Sequence, residues 1–565
     1  MQKINFKASR NRPYGQVSSL HKVLLLLLFT SIYHLSYAQT IPSNFFSQNA
    51  WMPDTIGSTP YYGELHSSWN NVKQSKAKLM RYGGIASDFE VPSTYQYLRI
   101  VDSIRAKGME PILQLSYGNG DINIDTTATL PIFRYINITM NRKVKYWSIG
   151  NEPDNEYSAN NKTAAAISAY IKRYALAMKK IDSSIRIIAP DFAYLAVYTN
   201  SVADSLTTPG GASNIVGLIP AGNGIASGKP YVDYFSYHMY HYNGYTTTMP
   251  RSWLISKLTG PSGDSVNMAW LKQRLDYCNT NVPRTSQPIK PMMTEANICY
   301  YSNPGTVAND NWQGVKGNSF FAGQHWCQIM ALAVKSGFEN VNFWSVMEGS
   351  GLGYMTNSTT PTKKSTYWHF KEMAEWFNGE IYIGADNHTN IKAFGSKNGN
   401  YIAVMVLNQD TITTAAKPYT IYLNSSTGGT TWISMNMGIS KTYVDTIDAS
   451  SSTLLVFDLY GNISQKYYYK QSDGSSQPGF HQRYSSCGLT KTYASQGALD
   501  AYAPAQYQHI VLGDAAGTNS VTVDSGSPNY NNSIYRATTS ITLEKNFSSG
   551  IVGQTLDLII DSDCQ

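Results

Sequence analysis

Between about residues 44 and 377 the chain alternates short β-rich runs with longer helical patterns. Eight runs have strand character, and they end at or near Trp51, Arg81, Ser116, Asn151, Asp191, Tyr240, Glu295 and Met347. Such alternation is typical of βα units that build a parallel sheet. Apolar residues at helical spacing predict helices over residues 95–107 and 164–181. We therefore expect an α/β fold, a closed (β/α)8 TIM barrel. An open doubly wound sheet is the alternative, although no Gly-x-Gly-x-x-Gly loop follows an early strand.

The pattern changes after the barrel, which we place at residues 39–378. Residues 379–460 consist of short alternating strands separated by turns and lack helical signals, which predicts an all-β sandwich packed against the barrel. Residues 461–483 are rich in Ser, Gln, Tyr and Gly and predict a linker. Residues 484–565 are again β-rich and predict a small C-terminal module.

The N-terminus, residues 1–38, has the pattern of a signal peptide. A basic segment ends at Lys22, an apolar run covers residues 23–32, and Ser36 and Ala38 are small residues before a cleavage site at Gln39. The apolar run is about ten residues long, too short for the roughly 20 of a membrane span. We expect a secreted or cell-surface protein without a membrane span.

Export makes disulfides possible. Cys487 and Cys564 bracket the last segment and could be paired. Cys278, Cys299 and Cys327 have no metal-ligand spacing, and they read as buried thiols or as one pair plus one thiol.

The net charge of +7 comes largely from the leader, which holds five basic residues and no acidic one. No clustered basic face remains, which argues against a nucleic-acid partner. Aromatic residues make up 13% of the chain, and flat rings suit the faces of sugars.

Two carboxylates stand at predicted strand ends, where barrel enzymes place their catalytic residues. Glu152 follows an apolar strand in Asn151-Glu152-Pro153, and Pro153 biases it toward an extended backbone. Glu295 ends the short apolar strand that begins at Pro291. Taken alone, each reads equally as a solvated loop residue. Their spacing suits three βα units and places them on strands four and seven, on opposite sides of one barrel mouth.

Facing carboxylates are what glycoside hydrolysis requires, because one must donate a proton and the other must be ionised. Retaining enzymes hold them roughly 5–5.5 Å apart, and inverting enzymes about 6.5–9.5 Å apart.

Asn151-Glu152-Pro153 and Thr294-Glu295 resemble the strand-four and strand-seven motifs of glycoside hydrolase clan A. Within that clan the layout is similar to the arabinofuranosidase, β-xylosidase and endoglucanase families with a β-sandwich after the barrel. The resemblance covers about residues 44 to 460. It implies that Glu152 is the general acid/base and that Glu295 is the nucleophile.

The same resemblance implies roles for five further residues. Asn151 would bind the sugar 2-hydroxyl, and Arg81 would hold the nucleophile ionised. His238 and Tyr240 would flank the nucleophile, and Trp344 would lie under the sugar.

Each of these residues has a structural alternative. Arg81 could pair with a loop carboxylate, and His238, Tyr240 and Trp344 could be packing residues. Glu348 is the rival carboxylate. Asp154 and Asp191 read as loop or cap residues, and Trp51 and Tyr117 could line sugar subsites or be buried.

We therefore expect a retaining glycoside hydrolase that cleaves O-glycosidic bonds in plant or algal polysaccharide by double displacement, as an endo-acting enzyme on a β-linked glycan. The alternatives are an exo-acting α-L-arabinofuranosidase or β-xylosidase, and a non-catalytic carbohydrate-binding protein. We expect no cofactor, no metal and a monomer. The neighbouring charge of Glu295 predicts a high pKa for Glu152 in the free protein.

Overall fold

A computed structural model describes most of the chain from residue 39 to residue 483 and the backbone of six later strands. The described residues are 39–50, 65, 68–89, 91–116, 126, 129–155, 163–195, 201–242, 250–260, 263–282, 284, 288–301, 310–348, 352–358, 360–412, 414–475, 479–483, 486–493, 506–512, 521–523, 534–543, 547–549 and 557–560. The predicted signal peptide, Trp51, Tyr117 and Cys564 lie outside the described residues, as does the side chain of Cys487.

Eight parallel strands close into a barrel, as predicted. In chain order they are Phe46–Ala50, Leu79–Tyr82, Glu110–Leu115, Tyr146–Ile149, Arg186–Phe192, Tyr234–Tyr242, Lys290–Cys299 and Asn340–Phe343. The first strand pairs with the second through Ser47 and Leu79, and with the eighth through Phe46 and Val341, which closes the ring.

The barrel interior changes from apolar to polar along the strands. Leu79, Ile112, Tyr146, Ile188 and Met292 form a buried cluster. Because strand side chains alternate with a period of two, the next position on the same face is polar on several strands, as at Arg81, Gln114 and Thr294. The cluster therefore forms a floor, and the polar layer lies toward the carboxyl ends of the strands.

The seventh strand corrects one prediction. It does not end at Glu295 but continues to Cys299, paired with the sixth strand as far as Tyr242. The pairing register shifts between Met293 and Ala296 on one side and between Tyr237 and His238 on the other. Such irregularities re-aim side chains within a strand, and here Glu295 lies at this point.

Helices follow the strands on the outside of the barrel. Their bounds are Trp69–Gln74, Ala86–Phe89, Thr94–Ala106, Leu130–Arg134, Ala164–Ile181, Ser201–Thr207, Arg251–Thr259, Asp264–Asn281, Phe320–Lys335 and Ser365–Trp376, with a π-helical turn at Tyr135–Thr139. The two predicted helices are confirmed, and Ser93 and Thr163 cap their N-termini by accepting backbone N–H bonds. None of the described helices is long and apolar enough to cross a membrane.

Two sheets follow the barrel and form the predicted sandwich. The first contains, in spatial order, Gln39–Thr40, Glu380–Ile383, Ile391–Lys397, Ile402–Asn408, Ser451–Phe457, Ile463–Lys470 and His481–Arg483. The second contains Ala385–Asp386, Trp432–Ser434, Lys417–Tyr422 and Thr442–Ile447. Val404 and Leu455 from one sheet and Ile421 and Ile433 from the other share one buried core.

The predicted linker at residues 461–483 is wrong. Two of its segments are strands of the first sheet: Ile463–Lys470 pairs with Ser451–Phe457, and His481–Arg483 pairs with Ile463–Lys470. Ser, Gln and Tyr suggested a linker by composition, but Tyr is also a residue type favoured in strands, and three successive Tyr residues lie in the first of these segments. The later strands are Ser486–Tyr493, Gln506–Leu512, Val521–Val523, Ile534–Leu543, Phe547–Ser549 and Asp557–Ile560, in one four-stranded and one two-stranded sheet.

Polar contacts join the barrel helices to the sandwich. The Gln324 amide donates to the backbone oxygens of Asn408 and Ser451. His369 Nε2 lies 2.7 Å from Ser452 Oγ. Alternate residues of the central strands complete the contact, because Met405 and Leu407 belong to the barrel's core cluster. These strands are therefore buried on both faces, which explains their continuous apolar sequence.

Candidate active site

Glu295 is a buried carboxylate with both oxygens hydrogen-bonded. Its Oε1 accepts from Arg81 Nη1 at 2.9 Å, and its Oε2 accepts from Tyr240 Oη at 2.7 Å. The side chain is only 6% exposed, so these donors largely replace its water shell. Glu295 is thus held in one orientation at the barrel mouth.

Glu152 lies at the exit of the fourth strand and is more accessible, with 14% of its side chain exposed. Its Oε1 lies 2.8 Å from His238 Nδ1, and its Oε2 accepts from the Asn155 amide at 2.7 Å. The extended backbone that Pro153 led us to predict for Glu152 is wrong, because the residue has a φ of +45°. The Glu152 N–H donates to the carbonyl of Asp191 at 2.8 Å, and this bond helps to hold the backbone away from its local preference.

The two carboxylates face each other across the mouth. One oxygen of Glu152, one oxygen of Glu295 and a ring nitrogen of His238 all lie within 4.8 Å of one another. So close an approach of the two side chains favours the retaining arrangement, with carboxyl groups roughly 5–5.5 Å apart, over the inverting one, in which about 6.5–9.5 Å leaves room for a water.

Arg81 is the centre of a buried hydrogen-bond network. Its Nη1 donates to Asn49 Oδ1 and to Glu295, and its Nη2 donates to Gln114 Oε1 at 3.2 Å, Asn151 Oδ1 at 2.9 Å and Asp191 Oδ2 at 3.1 Å. The guanidinium is fully buried, and a buried cation needs such partners. Arg81 contacts Glu295 as the sequence analysis expected, and the same guanidinium also donates to Asn151.

Asp191 is a site residue that the sequence analysis assigned to a loop or cap role. It is fully buried, its carboxylate pairs with Arg81, and it accepts from Thr294 Oγ1 at 2.8 Å. The signal was present, because Asp191 stands at the predicted end of the fifth strand. The same rule that selected Glu152 and Glu295 also applies to it.

The pKa directions differ from the expectation for Glu152. Burial raises the pKa of Glu152, but the hydrogen bond and charge of His238, together with Asn155 and Arg81, outweigh it and leave the pKa below its usual value. Burial raises the pKa of Glu295, against the lowering charges of His238 and Arg81. Burial lowers the pKa of His238, but Glu295 and Glu152 raise it overall. The prediction of a high pKa for Glu152 is therefore wrong, because His238, which the sequence analysis did not include among its charged neighbours, lowers it.

The remaining candidates lie around this centre. Trp344 is buried and belongs to a cluster against which Tyr240 packs, so it lies in the same part of the barrel as the candidate site. The rival carboxylate Glu348 accepts from Ser345 Oγ at 3.1 Å and is not part of the close group formed by Glu152, His238 and Glu295. Asp154 accepts from the Ala193 N–H at 2.8 Å, and burial raises its pKa to about 6.

Glu152, His238 and Glu295 are also the one group of such side chains among the described residues whose donor atoms are close enough to surround a metal ion. All four carboxylate oxygens, however, already have hydrogen-bond partners in Arg81, Tyr240, His238 and Asn155. We therefore do not assign these residues as metal ligands. The described cysteines Cys278, Cys299 and Cys327 form no disulfide and are buried. Of the two interpretations from the sequence, buried thiols is therefore the one that the structure shows.

No protein-family model matches this chain, and no curated protein matches its sequence. Solved structures do match its fold. AbfB, a family 51 α-L-arabinofuranosidase from Bifidobacterium longum, aligns over 68% of this chain and 86% of its own at 13% identity, with a TM-score of 0.50. A monomeric β-xylosidase from Caulobacter crescentus CB15 aligns over 70% and 83% at 14% identity, with a TM-score of 0.48. An α-L-arabinofuranosidase from Thermotoga maritima aligns over 75% and 96% at 14% identity, with a TM-score of 0.47. The structural neighbours are glycoside hydrolases, and the likeness to AbfB confirms the fold that the two glutamate motifs imply, a barrel followed by a β-sandwich.

Proposed function

We propose that this protein is a retaining glycoside hydrolase, with Glu295 as nucleophile and Glu152 as general acid/base. The observation that carries the proposal is the pair of facing carboxylates, whose oxygens lie within 4.8 Å. Their surroundings differ as the two roles require. Glu295 is fixed by two donors, whereas Glu152 is more accessible and lies against a titratable imidazole.

In the first step Glu295 attacks the anomeric carbon, and the glycosidic oxygen leaves with a proton from Glu152. The required state has Glu295 ionised and one proton on the Glu152–His238 pair. His238 Nδ1 and Glu152 Oε1 are 2.8 Å apart, so the proton can pass from the imidazole to the carboxylate as negative charge develops on the leaving oxygen.

In the second step water attacks the covalent glycosyl-enzyme, and the Glu152–His238 pair takes its proton. Formation of the ester removes the negative charge of Glu295, and this charge is one of the causes that raise the pKa of His238. The affinity of the Glu152–His238 pair for a proton is consequently lower in the glycosyl-enzyme than in the free enzyme. When Glu295 is released its charge returns, and the pair is again ready to hold the proton it has received.

For the substrate we propose a plant or algal polysaccharide cleaved within the chain at β-linkages. The aromatic content of 13% and the predicted signal peptide support a polymeric carbohydrate outside the cell. The second candidate is exo action on arabinofuranosyl or xylosyl ends, and the arabinofuranosidase activity named for the similarly folded AbfB supports it.

Export through the N-terminal segment is also a proposal, supported by the basic segment, the apolar run and Ala38 before Gln39. Expression of the full chain in a bacterial host, followed by fractionation and N-terminal sequencing, tests it. We expect an exported chain that starts at Gln39. Retention in the cytoplasm with an intact Met1 would contradict it.

The function is tested with wild type and Glu295→Gln on polysaccharides and aryl glycosides, with reducing ends and product stereochemistry as the readout. We expect retained configuration, and a loss of roughly 10⁴-fold or more in Glu295→Gln because the nucleophile is removed. Glu348→Gln is the matched control, since it changes the rival carboxylate at the next strand exit. Whether polymers or aryl glycosides are cleaved separates endo from exo action.

Inverted products, or an equal loss in Glu348→Gln and Glu295→Gln, would contradict the assigned mechanism. Binding of the same sugars by calorimetry without any cleavage would make the protein a carbohydrate-binding protein.

A further inference from the structure

We propose that Asp191 is a positioning residue that holds both glutamates in place and sets the ionisation of Glu295. The proposal deepens the proposed function and rests on its assignment of Glu152 and Glu295. Asp191 stands at the exit of the fifth strand, Arg186–Phe192, and its side chain is fully buried.

The backbone of Asp191 fixes the acid/base segment. Its carbonyl accepts the N–H of Glu152 at 2.8 Å, and its own N–H donates to Ser236 Oγ at 2.9 Å. Both Asp191 and Glu152 have positive φ, +53° and +45°, in a region that L-residues other than Asn and Asp seldom adopt. Asp191 is thus a residue type that suits its backbone position, and its carbonyl helps to hold Glu152 in a backbone position that glutamate seldom adopts.

The side chain of Asp191 acts on the nucleophile. Its Oδ2 accepts from Arg81 Nη2 at 3.1 Å, while Arg81 Nη1 donates to Glu295 at 2.9 Å. Its Oδ1 accepts from Thr294, the residue before Glu295, at 2.8 Å. One guanidinium is thus divided between two carboxylates, and Asp191 reduces the share of its charge that reaches Glu295.

The charged and titratable groups that face Glu295 come from several strands and predict the sign of the effect. Arg81 and His238 lower the pKa of Glu295, Glu152 raises it, and the Tyr240 hydrogen bond lowers it. Two further carboxylates lie close to this group. Asp88 accepts a hydrogen bond from the Gln114 amide and interacts with the charge of Arg81. Glu348 is close enough to Tyr240 for its charge to raise the pKa of that tyrosine. Without the charge of Asp191, Arg81 faces Glu295 without a competing anion, so the pKa of Glu295 falls.

The test is Asp191→Asn, which keeps the shape of the side chain and tolerates positive φ. We expect kcat to fall about 10- to 100-fold through misplacement of the glutamates, with KM little changed. We also expect the acidic limb of the kcat/KM profile to move to lower pH. A residue that only stabilised the fold would lower activity without moving this limb.

Asp233→Asn is the matched control. Asp233 is also a buried carboxylate, but it stands before the sixth strand and pairs with Lys179 at 2.8 Å and Arg186 at 2.9 Å. We expect this variant to lose stability and to keep the wild-type acidic limb.

A readout without turnover separates this proposal from the proposed function. In protein with ¹³C-labelled glutamate carboxyls, the Glu295 signal is assigned by its absence in Glu295→Gln, and its titration is followed by NMR. A shift to lower pH in Asp191→Asn alone supports the inference even if no glycan is cleaved. An unmoved titration overturns it even if the wild type is an active glycosidase.

If Asp191→Asn does not fold, Thr294→Val removes one donor to Asp191 at nearly constant volume. Asp191 then relies more on Arg81, so the Glu295 titration should move to higher pH. A titration identical to that of the wild type overturns the proposal.

Discussion

At the scale of single residues, the pKa of Glu295 is set by burial, which raises it overall, and by a few charges and donors that oppose this rise. Burial raises its pKa, and the Tyr240 hydrogen bond of 2.7 Å is one of the contacts that lower it. Since the side chain is almost inaccessible to water, no solvent can replace a lost donor. The loss of one contact should therefore be visible in the pH dependence of activity.

Tyr240→Phe should lower kcat/KM by about 10- to 100-fold, because a hydrogen bond to a charged group contributes roughly 1.5–3 kcal/mol. Its removal raises the pKa of Glu295, so the acidic limb of the pH profile should move to higher pH. Tyr242→Phe is the control, since Tyr242 is on the same strand and donates to the Val315 carbonyl. An unchanged limb in Tyr240→Phe would refute the role given to this bond.

Glu152→Ala should separate the two chemical steps. An aryl glycoside with a good leaving group needs little acid help, so the covalent intermediate should form and then accumulate, because water lacks its base. Azide, a small anion that needs no base, should restore turnover and give the glycosyl azide with retained configuration. Recovery of activity by azide in Glu295→Gln, but not in Glu152→Ala, would exchange the two roles.

The sequence alone identified most of the residues that the structure brings together, but it did not predict the hydrogen bonds that join them. Asn151, Glu152 and Glu295 could be selected because each follows an apolar run where a barrel strand was expected. Asp191 met the same criterion and was not selected, because nothing in its neighbours shows that it contacts Arg81, a residue 110 positions away. Gln114 is likewise an unremarkable polar residue until the strands close into a ring.

At the scale of elements, the strand exits decide where these side chains point. Periodicity predicted all eight strands of the barrel, since apolar runs of this length depend little on their partners. The irregular pairing at Met293 and Ala296 could not be predicted in the same way, because it depends on the neighbouring strands as much as on the strand itself. The backbone of Glu152 is a second case, in which a tertiary hydrogen bond overrides the local effect of Pro153.

The exit of the second strand gives a test at this scale. A Cβ on Gly83 would overlap Gln114 Oε1 and lie 2.9 Å from Gln114 Cβ, so Gly83→Ala must displace Gln114. Because Gln114 accepts from Arg81 and donates to Asp88 at 2.9 Å, the guanidinium should lose its alignment. We expect kcat to fall about tenfold or more, with an overpacking cost of roughly 1–3 kcal/mol in unfolding free energy.

Gly217→Ala is the control for this prediction. Gly217 also lies within the barrel domain, and a Cβ added there would meet only Asn214 Oδ1 within 4 Å, at 3.8 Å. Steady-state kinetics and urea denaturation of both variants provide the comparison. Wild-type kinetics in Gly83→Ala would show that Gln114 does not transmit the change to Arg81.

At the scale of the whole molecule, the sandwich is continuous with the barrel through buried polar contacts. Gln324 donates to two backbone oxygens of the sandwich, and Arg251 Nη1 donates to the carbonyl of Asp410 and to Ser450 Oγ. Separating the barrel from the sandwich would break these contacts and expose the apolar surface that Met405 and Leu407 bury in the barrel's core cluster. We expect one cooperative unfolding transition for both parts.

The same interface predicts how stability depends on pH. His369 is fully buried, with Nδ1 2.8 Å from the Ser365 carbonyl and Nε2 2.7 Å from Ser452 Oγ. Burial lowers its pKa to about 4, whereas the unfolded chain has an ordinary histidine pKa of about 6.5. Between these values the unfolded state binds the additional proton, so stability is present above about pH 6.5 and declines as the pH falls toward 4. Burial also lowers the pKa of His325, which adds to the same trend.

His369→Gln should therefore flatten the decline in unfolding free energy between about pH 6.5 and pH 4, because one protonation has been removed from the balance. The variant should lose some stability at pH 7, where the contact with Ser452 is intact, and approach or exceed the wild type at pH 4.5. Urea denaturation at several pH values measures both quantities, and His481→Gln, a half-buried histidine at the end of the same sheet, is the control. Parallel curves for His369→Gln and the wild type would mean that acid sensitivity arises elsewhere. Curves that converge as the pH falls would show that the acid sensitivity arises at His369, in the contact that joins the barrel to the sandwich.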